Sequence, residues 1–387
     1  MPGVHLAALA GDLADAEAMV ALKDLMSALG SANIDCRQDG ARYDTTARAG
    51  YLFNTTIAGI EQADVILLVG VNPRVEAPII NARIRKRFLN GGVRVARIGA
   101  VADLTYPVTE FGNTPEVLTE IAAGRHPFSA VLKAASRPMI IVGMAALGRN
   151  DAAAIQDTAR TLADSHGLVT DGWNGFNVLH IAAARVAGLE LGFLPGVGGR
   201  DTRAILDGSK AGDVQVLYLL GADEIDASRI GSSTFVIYQG HHGDRGAHRA
   251  DVVLPGAAYT EKNATYLNTE GRVQTTRLAT FPPGEAREDW KIIRALSEHL
   301  GHRLPYDSLA QIRQRLVEVN PVFTAVDTVT AAAWRPFGQA GTLDPAPFVP
   351  AVENFYMTDP ISRASVTMAK CTEAFVQIGE GKTGTHG

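Results

Sequence analysis

A series of short apolar runs, separated by segments of helical period, constrains this chain more than any other feature. Val65–Val69 reads V-I-L-L-V and stops at Gly70. An unbroken apolar run of strand length suits a strand buried on both faces, the habit of parallel sheets. Val93–Ile98, Met139–Val142, Val214–Leu220, Phe235–Tyr238 and Val252–Leu254 also read as strands, the first interrupted by Arg94 and Arg97 and the third by Gln215. Between them the spacing changes. Met19, Leu22, Met26 and Leu29 share one face of a helix over Asp12–Leu29, and Ile80, Ile84 and Phe88 line another after Pro78. Further helices are predicted from Thr114 to Gly124, from Asn150 to Gly167, and over Val178–Val186, Arg287–Leu300 and Asp307–Val319, with Asp12, Asn150 and Asp307 as caps. Ser31–Ala49 is polar and reads as a loop. Strands alternating with helices argue for an α/β fold, one or more parallel sheets with helices on both faces. Gly70, Gly143 and Gly221 each end a strand, but their unequal spacing argues against a repeat.

Composition excludes several classes of function. With 387 residues and a net charge of −5, the chain can build a sizeable core and offers no basic surface for nucleic acid. No apolar run reaches the ~18 residues of a membrane span, and Met1-Pro-Gly-Val-His lacks the basic start of a secretory signal. Cys36 and Cys371 are the only cysteines. An iron–sulfur cluster takes about four thiolates, so this chain alone is expected to hold none, and both thiols read as free.

The chemistry-bearing residues concentrate around Ala250–Gln274. A strand ending at Pro255-Gly256 gives way to a polar segment with Glu261, Lys262 and Asn263. Tyr266–Asn268 and Val273–Thr275 then flank Thr269-Glu-Gly-Arg272, which reads as a hairpin with Gly271 at positive φ. Charged and amide side chains at a strand's carboxyl end suit a ligand mouth. Glu270 and Arg272, an acid and a base across the turn, read as structural. His241, His242 and His248, with Asp244 and Asp251, are the densest set of possible metal ligands. Their spacing fits no helix or finger pattern; Gly240, Gly243 and Gly246 suggest a tight loop whose histidines bond backbone carbonyls. No G-x-G-x-x-G or G-x-x-x-x-G-K-[ST] occurs, so a phosphate cradle for NADH or a nucleotide is unsupported.

The strand ending Leu254-Pro255, then Glu261 and Asn268-Thr-Glu-Gly-Arg272, resembles the signature of the molybdopterin-oxidoreductase superfamily. Tyr238–His248, Arg287–Ser297, Asn72–Pro78, Asn81–Arg85 and Phe355–Ser365 narrow the resemblance to the family of the 75 kDa subunit of respiratory complex I, the NADH-quinone oxidoreductase. That family's cysteine-rich amino-terminal half, which carries its 2Fe-2S and 4Fe-4S clusters, has no counterpart here. The resemblance implies a cofactor-free structural domain within a proton-translocating NADH:quinone oxidoreductase, with no catalytic site of its own. Its partners would be the cluster-bearing half and other peripheral-arm subunits. Its place would be peripheral, on the cytoplasmic face of a bacterial plasma membrane or the matrix side of the mitochondrial inner membrane. Asn72, Glu261 and Arg272 would be remnants of a lost cofactor pocket. The alternative is a free-standing α/β enzyme, or a nucleotide- or pterin-binding module, using the cleft near Ala250–Gln274.

The expected organisation is a superfamily-type α/β domain over 1–330, open to subdivision near 145 and 210. A Pro-rich linker over 331–352, a C-terminal helix over 353–378 and a disordered tail over 379–387 would follow. The linker and helix, Trp334–Phe375, would form an arm lying either across a partner or on the chain's own domain.

Overall fold

The structure, a computed structural model, describes residues 3–377. In chain order the strands are β1 (Leu6–Ala10), β2 (Ile34–Asp35), β3 (Val65–Val69), β4 (Arg94–Ile98), β5 (Thr109–Glu110), β6 (Pro138–Val142), β7 (Val169–Thr170), β8 (Trp173–Asn174), β9 (Phe176–Val178), β10 (Val216–Leu220), β11 (Phe235–Gly240), β12 (Val252–Pro255), β13 (Thr265–Leu267) and β14 (Val273–Thr275). They make two five-stranded sheets, ordered β12-β11-β10-β1-β2 and β5-β4-β3-β6-β9. Every pair within these sheets is parallel. The first sheet is interrupted in sequence: the chain leaves after β2, builds the whole second sheet, and returns at β10. Residue 145 falls in the short helix Met144–Leu147 that follows β6, and residue 210 lies near the end of the helix Thr202–Ala211, just before that return.

The pleat sorts each strand's side chains between two cores. Leu67 and Val69 of β3, Ile140 and Val142 of β6, Ala8 and Ala10 of β1, and Tyr218 and Leu220 of β10 share one large core. The alternate residues Ile66, Leu68, Met139 and Ile141 build a second core behind the second sheet. Ala7, Leu9, Leu217 and Leu219 build a third behind the first. Inner faces of both sheets therefore bury against a common set of helices, among them Ala16–Ala28, whose Met19, Leu22 and Met26 are buried as the spacing predicts.

Several local expectations need correction. β1, an interior strand of the first sheet between β10 and β2, is not predicted from the sequence, because its Leu-Ala-Ala-Leu-Ala carries no β-branched residue to mark it. Asp15, not Asp12, caps Ala16–Ala28, accepting from the Ala18 amide at 2.8 Å. Ser308, not Asp307, caps Leu309–Val319. Asn150 is not the residue bordering Ala152–Ser165; Asp151 is, and its side chain makes no capping bond. Val178–Val186 is not one helix: Phe176–Val178 pairs in parallel with β6, and the helix begins only at Arg185. The Asp359-Pro360 start is as expected, with Asp359 accepting from the Ile361 and Ser362 amides. The C-terminal helix is broken into Pro360–Arg363, Val366–Thr372 and a π turn at Glu373–Gln377. The tail over 379–387 lies outside the described residues.

The Pro-rich stretch carries no helix or strand between the turns Pro321–Thr324 and Phe355–Met357, and it packs on the chain's own α/β body. Phe337 is 2% exposed and its ring lies 5.0 Å from that of Phe176. Arg149 donates to the carbonyls of Asp344 and Ala346, each at 2.8 Å, and its guanidinium stands 5.4 Å from the Phe348 ring. Phe348 is buried, and its amide donates to the Asn113 carbonyl at 2.9 Å. The stretch is a strap, tied down every few residues.

Candidate functional site

In an open α/β sheet, ligands sit beyond the strands' carboxyl ends where the strand order reverses. Here the reversals fall between β1 and β10 in the first sheet and between β3 and β6 in the second. Both are closed tightly by glycines. A Cβ on Gly11, just after β1, would lie 1.9 Å from the Gly221 carbonyl oxygen; one on Gly143, just after β6, would lie 2.5 Å from that of Gly70. Three of these four glycines were legible as strand ends in the sequence. That they face one another in pairs is a product of the topology.

The first cleft is acidic. Asp12 follows β1, Asp223 and Glu224 follow β10, and Asp39 comes from the loop after β2. Asp223 is fully buried and accepts from the amides of Asp244 (3.1 Å) and Gly246 (2.8 Å). Burial, reinforced by Glu224 and Asp39 against the opposing charge of Arg185, pushes the Asp12 carboxyl up to about 7. Its Oδ1 has no hydrogen-bond partner. Arg185, 1% exposed, pairs with Asp39 at 3.0 Å; burial pushes that carboxyl up, but Arg185 and the Ala41 amide together hold it below its usual range. Burial first, then Arg185, push neighbouring His180 down to about 4, so it is neutral at physiological pH.

The strap ends in this cleft. Pro350–Asn354, Met357 and Thr358 face Asp12 and Glu224 across a groove of about 470 Å³. Arg363 then inserts its guanidinium among the acids, with Nε 2.8 Å from Asp244 Oδ2, Nη2 2.5 Å from Asp223 Oδ2, and Glu224 Oε1 at 3.3 Å. Sequence reading singles out neither Arg363 nor Asp223 and Glu224, although Gly221-Ala-Asp-Glu224 directly after a strand is a signal for the two acids; Asp244 stands there only as a possible metal ligand beside the histidines. On the other flank of the strap a second groove, about 460 Å³, runs from Asp39 to Arg149 and Arg203.

Asn72 lines the second, smaller cleft with Gly70, Glu76, Phe348 and Pro350. It caps the turn Pro73–Glu76, its Oδ1 accepting from the Arg74 amide at 3.2 Å, while its own amide donates to Glu76 Oε1 at 2.7 Å. Burial pushes the Glu76 carboxyl up to about 7. Glu261 and Arg272 have their bonds elsewhere. Glu261 accepts from the Ala258 amide at 3.0 Å, closing its own loop. Arg272 donates to Glu270 at 2.8 Å and to the Asp327 carbonyl at 2.5 Å. Of the three residues expected around one pocket, only Asn72 lines this cleft.

Ala250–Gln274 does fold as expected into a strand, a loop and a hairpin. β13 and β14 pair antiparallel, with Gly271 at φ +76°. The hairpin tip buttresses the other unit: the Phe53 amide donates to the Thr269 carbonyl at 2.8 Å and the Ile57 amide to Glu270 at 2.7 Å. Lys262, 4% exposed, bridges Asp15 at 2.6 Å and Asp289 at 2.5 Å. Burial pulls its ammonium pKa down, but those two carboxylates override it and hold it well above the usual lysine value. The cavity left beside them, lined also by His241 and His242, measures about 20 Å³, room for one water. The histidines do not bond backbone carbonyls as expected. His241 and His242 face each other, Nδ1 to Nδ1 at 3.0 Å, while exposed His248 rides on the short helix Arg245–Arg249. Among the described residues no three His, Cys, Asp or Glu side chains converge as metal ligands.

Two parallel sheets with clefts at their reversals, joined by a hairpin, define the class: an α/β protein built like the molybdopterin enzymes. The molybdopterin oxidoreductase family model matches residues 2–299, and the chain belongs to that family. The model for the C-terminal part of the G subunit of NADH-ubiquinone oxidoreductase matches residues 318–371, which include the strap. The chain is 46% identical over 95% of its length to the potato (Solanum tuberosum) mitochondrial NADH dehydrogenase [ubiquinone] iron-sulfur protein 1, covering 49% of that protein. It is 43% identical over 96% of its length to the mitochondrial 78 kDa subunit of NADH-ubiquinone oxidoreductase of Neurospora crassa, covering 50%. It is 42% identical over 95% of its length to the G subunit of the Rickettsia bellii NADH-quinone oxidoreductase, covering 52%. The chain thus spans about half the length of these curated relatives. Among solved structures, a chain of the formyltransferase/hydrolase complex from Methylorubrum extorquens superposes with a TM-score of 0.53 at 18% identity, covering 81% of this chain and 92% of that one. Acetylene hydratase from Pelobacter acetylenicus gives 0.50 at 13% identity, covering 78% and 56%. At such identities the likeness is one of fold.

The residues at the first cleft do not fit the anionic dinucleotide form of a molybdenum pterin. Its phosphates would meet Asp12, Asp39, Glu224 and Glu353, and the strap already crosses the groove. Neither cysteine of the chain is poised there to hold a metal: Cys36 is buried, with its thiol pushed up to about 12 by burial and the Asp35 charge, and Cys371 lies on the helix Val366–Thr372.

Proposed function

We propose that this chain is the cofactor-free scaffold of an NADH-quinone oxidoreductase subunit, contributing to electron transfer from NADH to quinone without carrying electrons. The observation that carries this reading is the 46% identity over 95% of the chain, joined to the NADH-ubiquinone oxidoreductase family match over the strap. The interior supports it. Its strand ends carry close glycine contacts, an acidic groove crossed by the strap and a 20 Å³ cavity beside an ion-paired lysine. Its work is to bury a face of the cluster-bearing part of the complex and to keep water from it, which tunes the potential of clusters it does not ligate. Its partners are that cluster-bearing part and other peripheral-arm subunits. It sits at the membrane's matrix or cytoplasmic side, and no described helix is long and apolar enough to cross a membrane.

The test is affinity purification of the tagged chain from cells that make the complex, with iron, molybdenum and nucleotide analysis of both the assembly and the isolated chain. The expected result is stoichiometric recovery of NADH-quinone oxidoreductase subunits, with iron in the assembly and none on the isolated chain. Stoichiometric iron, molybdenum or dinucleotide on the isolated chain would overturn the reading, as would recovery free of other subunits.

A further inference from the structure

We propose that the strap is the ligand of the first cleft: the acidic groove selects a guanidinium, the chain supplies its own in Arg363, and anionic dinucleotides are excluded from the groove.

Charge sets the requirement. Five carboxyl groups of the fold's body surround this end of the sheet, Asp12, Asp39, Asp223, Glu224 and Asp244, and the strap itself adds Glu353. Arg185, already committed to Asp39, and Arg245 are the cations that the body of the fold supplies. Asp223 is fully buried, and a buried carboxylate needs a cation or several donors to be tolerated. Two backbone amides supply part of that need. Arg363 supplies the rest, and it arrives from a segment 140 residues later in sequence. Its guanidinium is 11% exposed and divides its donors among Asp223, Glu224 and Asp244. A planar fork of fixed donors suits such a cluster better than a single ammonium.

Position adds to charge. Arg363 ends the helix Pro360–Arg363, which Asp359 starts through two capping bonds, so the guanidinium is presented by a rigid turn. Upstream, Phe348 is buried over the second cleft and Pro350 lines both grooves. One segment therefore closes both reversals, with an apolar plug at the second sheet and a cationic plug at the first. The carboxylates of Asp39 and Glu224 line the groove beneath it, an unfavourable setting for a phosphate.

The experiment uses the whole 387-residue chain and reads amide hydrogen exchange segment by segment. Arg363→Ala should raise exchange over residues 344–372 by at least about tenfold, the loss expected for a charge-assisted cluster, while β3, β6 and β10 stay protected. Asp244→Asn, which changes a half-exposed partner and leaves the strap's sequence intact, should raise exchange in the same segment by a smaller factor. Guanosine diphosphate titrated into Arg363→Ala should produce no binding heat. Unchanged strap exchange in both variants would overturn the proposal, as would guanosine diphosphate binding once the arginine is gone. If Arg363→Ala loses protection in its strands as well, Asp244→Asn alone decides, because its carboxylate is half-exposed and off the core. None of these readouts depends on other subunits, so a failure here is distinguishable from a failure of the proposed function.

Discussion

Lys262→Met offers a direct measure of how this fold is clamped. Lys262 lies in the loop after β12, Asp15 caps the helix Ala16–Ala28, and Asp289 opens the helix Asp289–His299. One ammonium therefore ties three segments that are far apart in sequence. All three side chains are at most 7% exposed, so the pairs escape the screening that reduces surface salt bridges to about 0–1 kcal/mol. Removing the cation leaves two buried carboxylates facing each other. Asp15 keeps the Ala18 amide at 2.8 Å and Asp289 keeps Gln239 Nε2 at 3.0 Å, which is partial compensation only. Breaking a buried pair from one side costs about 3–5 kcal/mol, and two stranded charges place this site at the upper end. Urea unfolding followed by intrinsic fluorescence should show that loss as a lower midpoint at unchanged m. The double variant Lys262→Met with Asp289→Asn should recover part of it, since one stranded charge is gone. A loss below about 1 kcal/mol, or a double variant no better than the single, would mean that water reaches the site and that the clamp is not what holds the helices together.

Two further outcomes follow from the clefts. Gly11→Ala should yield insoluble or unfolded protein, because its Cβ would overlap the Gly221 carbonyl at 1.9 Å; Gly99→Ala, whose nearest neighbour would be 3.8 Å away, should express and melt like the parent. In the pH profile, Asp12 and Glu76 are each pushed up to about 7, from ordinary values of 3.8 and 4.5. Their folded forms hold a proton that the unfolded chain releases, so their contribution is complete below about pH 4 and is lost as pH rises through 7. His180, held down at about 4, acts in the opposite sense between pH 4 and 6.5. Asp12→Asn should therefore make stability fall less from pH 4.5 to 7.5 than in the parent, measured as the difference in urea midpoints. An identical slope in both proteins would show that Asp12 is not held protonated beneath the strap.

What the sequence determined by itself was local. Runs such as Val65–Val69 announce parallel strands because a strand covered on both faces has no polar side to show. Gly271 announces a turn because L-residues avoid its φ of +76°. The signature around Asn268–Arg272 carried the family. The tertiary structure decided what those pieces meet. Nothing in the order of residues says that β1 and β10, separated by the whole second sheet, lie side by side, or that Gly11 would abut Gly221. Glu261 and Arg272 look like pocket residues in the family signature, yet Glu261 closes its own loop and Arg272 ties the hairpin to the distant Asp327 carbonyl, since buried backbone donors and acceptors must be satisfied. The Pro-rich strap reads as a linker because proline and glycine mark extended chain. Whether an extended chain is free or fastened depends on surfaces contributed elsewhere: Arg149 and Asn113 for Phe348, and Asp223, Glu224 and Asp244 for Arg363. Those contacts are long-range, and a charge cluster gathered from distant segments leaves no periodic trace in the chain that makes it.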